Sequence, residues 1–480
     1  MRGVSYLAVA PEIVLSVGAV IVLLVGVFAR RSVRLLGWMV GLIYILAALA
    51  IVLQWRRVDA EGAGFSFEGT IFLDYSSVGV RAILLVVAVL GTATAWEMLV
   101  GLGSRFAEGV TLILIATTGF MLMGASADLV MIFVALEIGS IALYVLAGIV
   151  RSSLAGDEAA LKYFLLGSFA SAIFIYGGAL VYTATGSTNL FVIASGLSGV
   201  HVVRPALLLI GMGLLVVGLG FKVTAAPFHS WAPDVYQGAP SGVVGFMAAA
   251  AKIGGFAALI NILTGGFERY AAAWGNGLAL MAAVSMVVGT LLAIGQSDVR
   301  RMLAYSGVAH AGFIITGMVG GTVTNSGVMF YLATYAVMLV GAFAAVTTVS
   351  GPAASGSSFE EYRGLGRSSP MVAAVLATLM IAMSGLPVTT GFIGKFQVFT
   401  SAWDGGYGWL VITGLVASVA AFFFYLRLVV LMYFGKDEDS GPRSKPTRAV
   451  RSVLVFSAGS SILFGVFPGP LLAVLERTIG

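Results

Sequence analysis

The chain has no cysteine, only three histidines and very little charge. Without cysteine it cannot form disulfides, hold a cysteine-ligated iron–sulfur cluster or attach a c-type haem, and three histidines leave little scope for a metal or haem centre. Asp, Glu, Lys and Arg make up 10% of the 480 residues, against roughly 25% in soluble domains. These shortages exclude a soluble globular protein and indicate that any redox chemistry takes place elsewhere.

Apolar residues are abundant instead, at 59% of the chain. A helix needs about 20 of them to cross the hydrocarbon core of a bilayer. Apolar runs separated by charged or Gly/Pro-rich breaks predict an all-α polytopic membrane protein with about 14 transmembrane helices. The first run leads into Arg30 without a small-residue cleavage site, so we expect a retained helix and not a signal peptide. The predicted spans are 9–29, 34–53, 74–98, 109–126, 129–150, 160–185, 206–226, 238–263, 272–295, 303–320, 328–350, 371–399, 408–434 and 450–475.

The basic residues between these spans predict the orientation. With the N-terminus outside, the cytoplasmic loops hold more than twice as many basic residues as the opposite side, so we expect both termini on the outer side. An excess of Arg over Lys, with many Ala and Gly, suggests a GC-rich bacterial genome and hence the plasma membrane. The cytoplasmic set is Arg30, Arg31, Arg34, Arg105, Arg151, Arg300, Arg301, Arg363, Arg367, Lys436, Arg443, Lys445, Arg448 and Arg451. The outer set is Arg2, Arg56, Arg57, Arg204, Arg269 and Arg477.

The remaining basic residues fall inside predicted spans. A lysine near the bilayer centre costs about 2.5–3.5 kcal/mol on insertion scales, so such residues call for an explanation. Burial can lower the pKa of a lysine by several units, whereas an arginine keeps its proton, and lysine is therefore the cation that suits a proton relay. The alternative is structural, with each cation paired to a carboxylate or a backbone carbonyl, or snorkelling to the membrane surface. The residues are Arg81, Lys162, Lys222, Lys252, Lys395 and Arg427, of which we expect the two arginines to be structural.

Glu137 is the only acid that we expect deep within a span. Beside a lysine it would be ionised and would modulate the affinity of that lysine for its proton, which favours a transport role. Asp128 lies where two spans turn and Asp298 lies in a basic loop, so both are expected to be solvated or to cap helices.

Two histidines provide further titrating groups, because the unperturbed pKa of imidazole is about 6.5. His229 and His310 fall beside or within spans and are candidates to relay protons, with a hydrogen-bonded core histidine as the alternative. His201 falls in an outer loop and is expected to be a surface residue.

Two prolines interrupt spans beside the lysines. Pro227 follows Lys222 by five residues and deprives the carbonyl of Val223 of its helical donor, and Pro387 precedes Lys395. Non-helical backbone at membrane depth is tolerated only where protein or a water-filled cavity satisfies it, and broken helices beside ionisable groups are typical of transporters. A simple proline kink is the alternative at each site.

Three segments resemble a known family. They read KVTAAPFHSWAPDVYQGAPSGVVGFMAAAAKIGGF from Lys222, QSDVRRMLAYSGVAHAGF from Gln296 and GLPVTTGFIGKFQVF from Gly385. These segments are similar to the antiporter-like subunits of proton-pumping NADH:quinone oxidoreductase, respiratory complex I. A lysine at position 395 and the absence of a long lateral helix after the last span resemble the subunit N branch. Subunits of multisubunit cation/proton (Na⁺/H⁺) antiporters share this fold, and that function remains the alternative.

The resemblance implies two five-helix repeats of inverted orientation. Each contains one broken helix, the seventh and the twelfth transmembrane helix of the chain. It implies that Glu137 partners Lys222, that Lys252 connects to a central axis, and that Lys395 leads to the far side. His229, His310 and Lys162 match further family positions, the last on the sixth helix. The implied segments are 1–108 with three helices, 109–264 and 265–435 as the repeats, and 436–480 with the last helix.

The resemblance also implies the setting of the chain. NADH, FMN, iron–sulfur clusters and quinone would belong to other subunits, and this chain would carry no cofactor. Its partners would be the antiporter-like subunit M, small membrane subunits and the lipid bilayer, with no nucleic acid.

Overall fold

A computed structural model describes residues 4–28, 32–150, 153–199, 205–319, 326–435 and 445–477. Over these ranges the chain forms nineteen α-helices and one antiparallel hairpin, β1 (Gly64–Ser66) with β2 (Ile71–Leu73). The first ten helices are α1 (Ala10–Phe28), α2 (Val33–Glu61), α3 (Tyr75–Gly101), α4 (Phe106–Ala125), α5 (Leu129–Ala147), α6 (Leu154–Thr185), α7 (Leu190–Gly199), α8 (Pro205–Lys222), α9 (Trp231–Gly238) and α10 (Ser241–Ile260). The others are α11 (Ala271–Ile294), α12 (Val299–Met318), α13 (Ser326–Ser350), α14 (Leu365–Ser368), α15 (Pro370–Ser384), α16 (Thr390–Asp404), α17 (Gly408–Phe434), α18 (Arg448–Val466) and α19 (Gly469–Glu476).

The helices confirm the prediction of an all-α polytopic membrane protein. Within the described ranges, 12 helices are long and apolar enough to cross a membrane. The predicted span 303–320 corresponds to α12, whose polar first turn lowers its hydropathy. The predicted span 371–399 is divided between α15 and α16, each of 15 residues. The hairpin and α7 were not predicted, because neither contains a long apolar run.

Helices α10 and α13 lie in the interior of the bundle. In the most apolar stretch of each helix, 94% of the residues are buried in α10 and 89% in α13, but only 39% in α2 and in α6. A helix that is apolar all round and covered on every side does not face lipid, so a polar side chain on it contacts other helices. Lys252 lies on α10. The fold therefore places this lysine among other helices.

Asp128 and Asp298 each cap the helix that follows them. Asp128 Oδ1 accepts the amide of Val130 at 2.8 Å ahead of α5, and Asp298 Oδ1 accepts the amides of Arg300 and Arg301 at 2.9 Å ahead of α12. Such N-caps satisfy amides that have no partner within the helix. Both aspartates therefore cap helices, which is one of the two roles expected of them.

Arg300 corrects one expectation. The sequence predicts it in a cytoplasmic loop, but it lies in the first turn of α12 with none of its surface exposed. Its guanidinium donates to the carbonyls of Ala354, at 2.8 Å, and Ala239. A buried arginine bound to two carbonyls ties the start of α12 to two neighbouring loops.

A second acid, Glu12, is buried within a span. Glu12 on α1 is 4% exposed, and its Oε1 lies 2.7 Å from Nε of Arg81 on α3. Arg81 Nη2 also donates to the carbonyl of Ala8 at 2.8 Å. Glu137 is therefore not the only acid inside a span, and Arg81 has the structural role expected of it. The pair was overlooked because Glu12 stands near the start of its apolar run.

Several sequence predictions concern residues outside the described ranges. They are the surface role of His201 and the loop positions of Arg2, Arg30, Arg31, Arg151, Arg204, Lys436 and Arg443. The side of the membrane on which each terminus lies, and the segment boundaries, stay predictions.

Candidate functional site: lysines at two helix breaks

The first break follows α8 and confirms the interruption predicted from Pro227. Helix α8 ends at Lys222, the next helix begins at Trp231, and Thr224 between them has a left-handed φ of 62°. The amide of Ala226 donates to Ser285 Oγ at 2.8 Å. Side chains of neighbouring helices thus satisfy backbone groups that the break leaves without helical partners.

Lys222 is 2% exposed at the C-terminal end of α8. Its Nζ donates to Ser140 Oγ on α5 at 2.7 Å. The rings of Phe120, Tyr163 and Tyr144 surround it, with centroids 5.3, 5.6 and 5.9 Å from Nζ. One hydroxyl, three aromatic rings and the negative end of a helix dipole therefore replace the hydration of this ammonium group.

Glu137 lies one turn before Ser140 on α5, so both residues are on the same side of that helix. It is half-buried, and its Oε1 is buried without a hydrogen-bond partner. Over the described residues no ion pair within 4.0 Å joins it to Lys222. The hydroxyl of Ser140, a residue with no signal of its own in the sequence, is the partner of Lys222 where the carboxylate of Glu137 was expected.

Lys252 binds the first break from α10. It is 2% exposed, and its Nζ donates to the carbonyl of Val223 at 2.9 Å and to Thr224 Oγ1. Val223 is the carbonyl that Pro227 deprives of a helical donor, and it directly follows Lys222. The two lysines are therefore linked through one peptide unit of the break.

His310 lies on α12 and is 1% exposed. Its Nδ1 is 2.9 Å from the hydroxyl of Tyr331, and its Nε2 is 3.1 Å from the hydroxyl of Tyr425. Tyr335 stacks on the imidazole with ring centroids 4.3 Å apart. The Tyr425 hydroxyl also hydrogen-bonds Ser306 Oγ. Both ring nitrogens are thus occupied by hydroxyl groups that can donate or accept a proton.

The second break separates α15 from α16, as Pro387 predicted. Lys395 on α16 is 5% exposed and its Nζ donates to the carbonyl of Ser384, the last residue of α15, at 2.8 Å. The ring of Phe313 lies 4.5 Å from Nζ. Gly385 has a left-handed φ of 89°, and a Cβ on it would lie 2.8 Å from Lys395 Cδ. Glycine is therefore required there both by the backbone conformation and by the lysine stem.

These groups form one buried row through the bundle. A Cβ on Gly307 would lie 3.5 Å from Lys252 Cε, and Gly307 is one turn from His310 on α12. At the other end, the ring of Phe313 contacts both His310, at 5.9 Å between centroids, and Lys395. In order along the row the titratable groups are Glu137, Lys222, Lys252, His310 and Lys395.

His229 and Lys162 lie apart from this row. His229 is half-buried, with its Nδ1 buried and without a partner and its ring edge-on to Tyr305 at 6.1 Å. The side chain of Lys162 is 42% exposed, and its Nζ lies 2.7 Å from both Glu158 and Asp234. Lys162 therefore belongs to a surface ion-pair network on α6. The next residue, Tyr163, points the other way and contacts Lys222.

Asp234 connects this network to α12, because its Oδ1 also lies 2.7 Å from Nη1 of Arg301. Burial by itself raises the pKa of the Asp234 carboxyl, but hydrogen bonds from Lys162 and Arg301 outweigh it and hold that pKa below its ordinary value. Asp234 is therefore ionised near neutral pH and holds two helices together.

Arg427 has the structural position expected of it. It is exposed on α17, its Nη1 lies 3.3 Å from the carbonyl of Gln296, and its guanidinium stacks over Phe359 at 4.5 Å. A cation near the C-terminal end of α11 is favoured by the helix dipole.

Comparison with known proteins defines the class. Residues 126–421 match the family model described as NADH:quinone oxidoreductase/Mrp antiporter, TM. A chain of the Mrp complex from Dietzia shares the fold, with a TM-score of 0.80, 19% identity and coverage of 99% of this chain and 97% of that one. The fold and its broken helices are those of antiporter-like membrane subunits.

Two further comparisons narrow the class. The chain is 38% identical to NADH-quinone oxidoreductase subunit N of Trichlorobacter lovleyi over 98% of this chain and 96% of that protein. A chain of respiratory complex I from Thermus thermophilus has a TM-score of 0.81 and 33% identity, covering 97% of this chain and 99% of that one. The chain belongs to the family of NADH-quinone oxidoreductase subunit N.

Proposed function

We propose that the chain is a proton-translocating membrane subunit of an NADH:quinone oxidoreductase. The observation that carries the proposal is the buried row, in which Lys222, Lys252 and Lys395 are each bound to or beside a helix break. An ammonium group held by one or two neutral acceptors has no fixed counter-charge, so its proton is displaced more easily than that of an ion-paired lysine. The subunit N relatives support the assignment to the oxidoreductase.

Proton transfer along the row follows from its chemistry. The Oε1 atom of Glu137 has no hydrogen-bond partner, and a rearrangement that brought this carboxylate to Lys222 would favour the charged lysine. Its withdrawal would release a proton from Lys222 to the neutral amine of Lys252. A proton passed from Lys252 to one nitrogen of His310 would then leave from the other nitrogen, through its hydroxyl partner, to the neutral amine of Lys395. Two ammonium groups about 7 Å apart repel by roughly 2.4 kcal/mol at an effective dielectric of about 20. That coupling is comparable to the roughly 2.3 kcal/mol needed to move one charge against 100 mV.

The energy for this cycle would come from electron transfer in other subunits. NADH, FMN, iron–sulfur clusters and quinone are assigned to them, and none to this chain. The partners would be an antiporter-like subunit M, small membrane subunits and the lipid of a bacterial plasma membrane, with both termini on the outer side. The proposed repeats are 109–264 and 265–435, between the segments 1–108 and 436–480. His229 is proposed as a group that exchanges protons with the row from its edge. The same role for Lys162 is less favoured, because Glu158 and Asp234 stabilise its charged form.

The test replaces one lysine at a time in the assembled complex. Lys222→Met and Lys395→Met should each lower proton pumping at least tenfold and slow NADH:quinone turnover, because the two processes are coupled. Lys445→Met is the matched control, since Lys445 is exposed and outside the bundle interior. Pumping and turnover at the control level in both buried variants would overturn the relay.

The alternative function is that of a cation/proton antiporter subunit, which the description of the matching family model also names. The same lysines would then work on a sodium or proton gradient. Purification of the native complex distinguishes the two functions. Co-purification with NADH-oxidising subunits supports the oxidoreductase, and sodium-driven proton transport without them supports the antiporter.

A further inference from the structure

An apolar cavity outside the buried row lies between α2, α3, α13, α18 and α19. Its volume is about 250 Å³. The walls include Ile83, Ala333, Val337, Phe456 and Leu471. The few hydroxyls in the lining are bonded to the protein, Thr334 Oγ1 to the carbonyl of Phe330 and Ser460 Oγ to that of Ser457. The remaining lining is almost entirely apolar, so the cavity suits an apolar occupant.

The cavity borders the second helix break. Thr390, the first residue of α16, lines the cavity, and its Oγ1 is 3.1 Å from Ser461 Oγ on α18. A Cβ on Gly465 would lie 2.4 Å from the carbonyl oxygen of Val388, so α18 packs directly on the break. Lys395 follows Thr390 by five residues on the same helix. An occupant of the cavity therefore touches the element that positions this lysine.

The mouth of the cavity has the features of a membrane surface. Trp55 lines it and packs on Tyr75 with ring centroids 5.0 Å apart. Tryptophan and tyrosine concentrate at the level of lipid headgroups. Arg477 follows the lining residue Leu475 by two positions, is 64% exposed and lies 4.0 Å from Asp59 through one nitrogen. Its other donors can receive a phosphate.

We propose that this cavity binds one acyl chain of a bilayer phospholipid, with its phosphate at Arg477 and its chain reaching Thr390. The cationic, aromatic mouth matches the phosphate headgroup, and the apolar interior matches the acyl chain. In a bilayer these two parts lie in the same order, with the headgroup at the surface and the chain in the core. The bound chain holds α18 and α13 against the second break and so fixes the position of Lys395. Lipid binding rests on the cavity itself, whereas its effect on Lys395 rests on the proposed function.

A phospholipid that carries a diazirine in the middle of its acyl chain tests the binding. The intact complex is reconstituted with this lipid and irradiated, and the labelled peptides are identified by mass spectrometry. Label is expected on the cavity-lining peptides of α3, α13 and α18. Ala333→Phe and Ala82→Phe, which fill the cavity from two sides, should each reduce that label at least fivefold. Ala172→Phe, at an exposed position on α6, is the matched control and should leave it unchanged.

Three results would overturn lipid binding. The first is absence of label from these peptides in the wild-type complex, and the second is full labelling of both filled variants. The third is displacement of the lipid label, either by an added long-chain quinone or by a partner protein that cross-links to the same peptides. The wild-type result decides the matter even if both variants fail to assemble.

The coupling to Lys395 has a separate readout. Ala333→Phe should lower the number of protons pumped per NADH about twofold, and Ala172→Phe should not. Loss of label with normal pumping would refute the coupling while leaving the lipid site. A silent Lys395→Met variant would instead refute the proposed function, whatever the lipid result.

Discussion

The ammonium group of Lys252 donates to the carbonyl of Val223 at 2.9 Å, so a lysine on one helix satisfies the backbone that a proline has disrupted on another. The same contact places Lys252 one peptide unit from Lys222. Structural support of the break and charge coupling between the lysines are consequently the same interaction.

Removing this ammonium group should loosen the break. In Lys252→Met the Val223 carbonyl loses its donor, at a cost of about 1–3 kcal/mol for an unsatisfied buried group. Amide hydrogen exchange over residues 223–230 should then become about tenfold faster, which corresponds to about 1.4 kcal/mol. Lys445→Met is the control. Equal exchange in the two variants would show that the break does not depend on Lys252.

The hydroxyl of Tyr425 should be needed for proton transfer through His310. Tyr425→Phe removes the group that lies between His310 Nε2 and Ser306 Oγ, while the ring that fills the core remains. A net contribution of about 1 kcal/mol for one hydrogen bond predicts about a fivefold lower pumping rate. Tyr433→Phe, 40% exposed on the same helix, is the control. Identical pumping by the two variants would remove Tyr425 from the pathway.

The ion pair of Glu12 and Arg81 should matter for stability and not for pumping chemistry. Arg81→Met leaves a buried carboxylate unpaired and should lower the free energy of unfolding by about 3–5 kcal/mol. Adding Glu12→Leu should recover much of that loss, because the buried charge is removed with its partner. Denaturant-induced loss of the subunit from the detergent-solubilised complex measures both effects.

An exposed ion pair is the control for the buried pair of Glu12 and Arg81. Arg363 and Glu360 lie 2.7 Å apart at the surface, where such a pair contributes about 0–1 kcal/mol. Arg363→Met should therefore change stability by much less than Arg81→Met. A double variant as unstable as Arg81→Met alone would show that packing, and not charge, governs the buried site.

The Asp234 network should make stability depend on pH on the acid side. The folded pKa of Asp234 lies below its unfolded value of about 3.9. The stabilisation is therefore fully present above that unfolded value and is lost as the pH falls through the folded pKa. The difference in thermal stability between wild type and Asp234→Asn should be constant from pH 6 to about pH 5 and shrink at lower pH. A difference that grows on acidification would refute this assignment.

Local chemistry made several features predictable. Apolar run length gives the spans, because a bilayer requires about 20 apolar residues for each crossing. Pro227 and Pro387 give the two breaks, because proline removes a backbone donor wherever it stands. Lysines inside apolar runs were conspicuous because they are costly there. Glu12 gave a weaker signal, because it stands near the start of its run, where a charge is less costly.

The partners of these groups were not predictable from one sequence. Glu12 and Arg81 are 69 residues apart, and His310 and Tyr425 are 115 apart. Serine and tyrosine are common in membrane helices, so Ser140 and Tyr425 gave no signal of their own. Only Ser140, one turn from Glu137, was within reach of helical periodicity.

The sequence by itself determined most of the crossings, the two helix breaks and the buried lysines beside them, since each depends on short-range composition. The tertiary structure alone decided that Lys222 binds Ser140, that Lys252 binds the break beside it and that Lys162 lies at the surface. Those contacts depend on how each helix is rotated and which helices are neighbours. Packing of the whole bundle fixes both, and no local pattern encodes them.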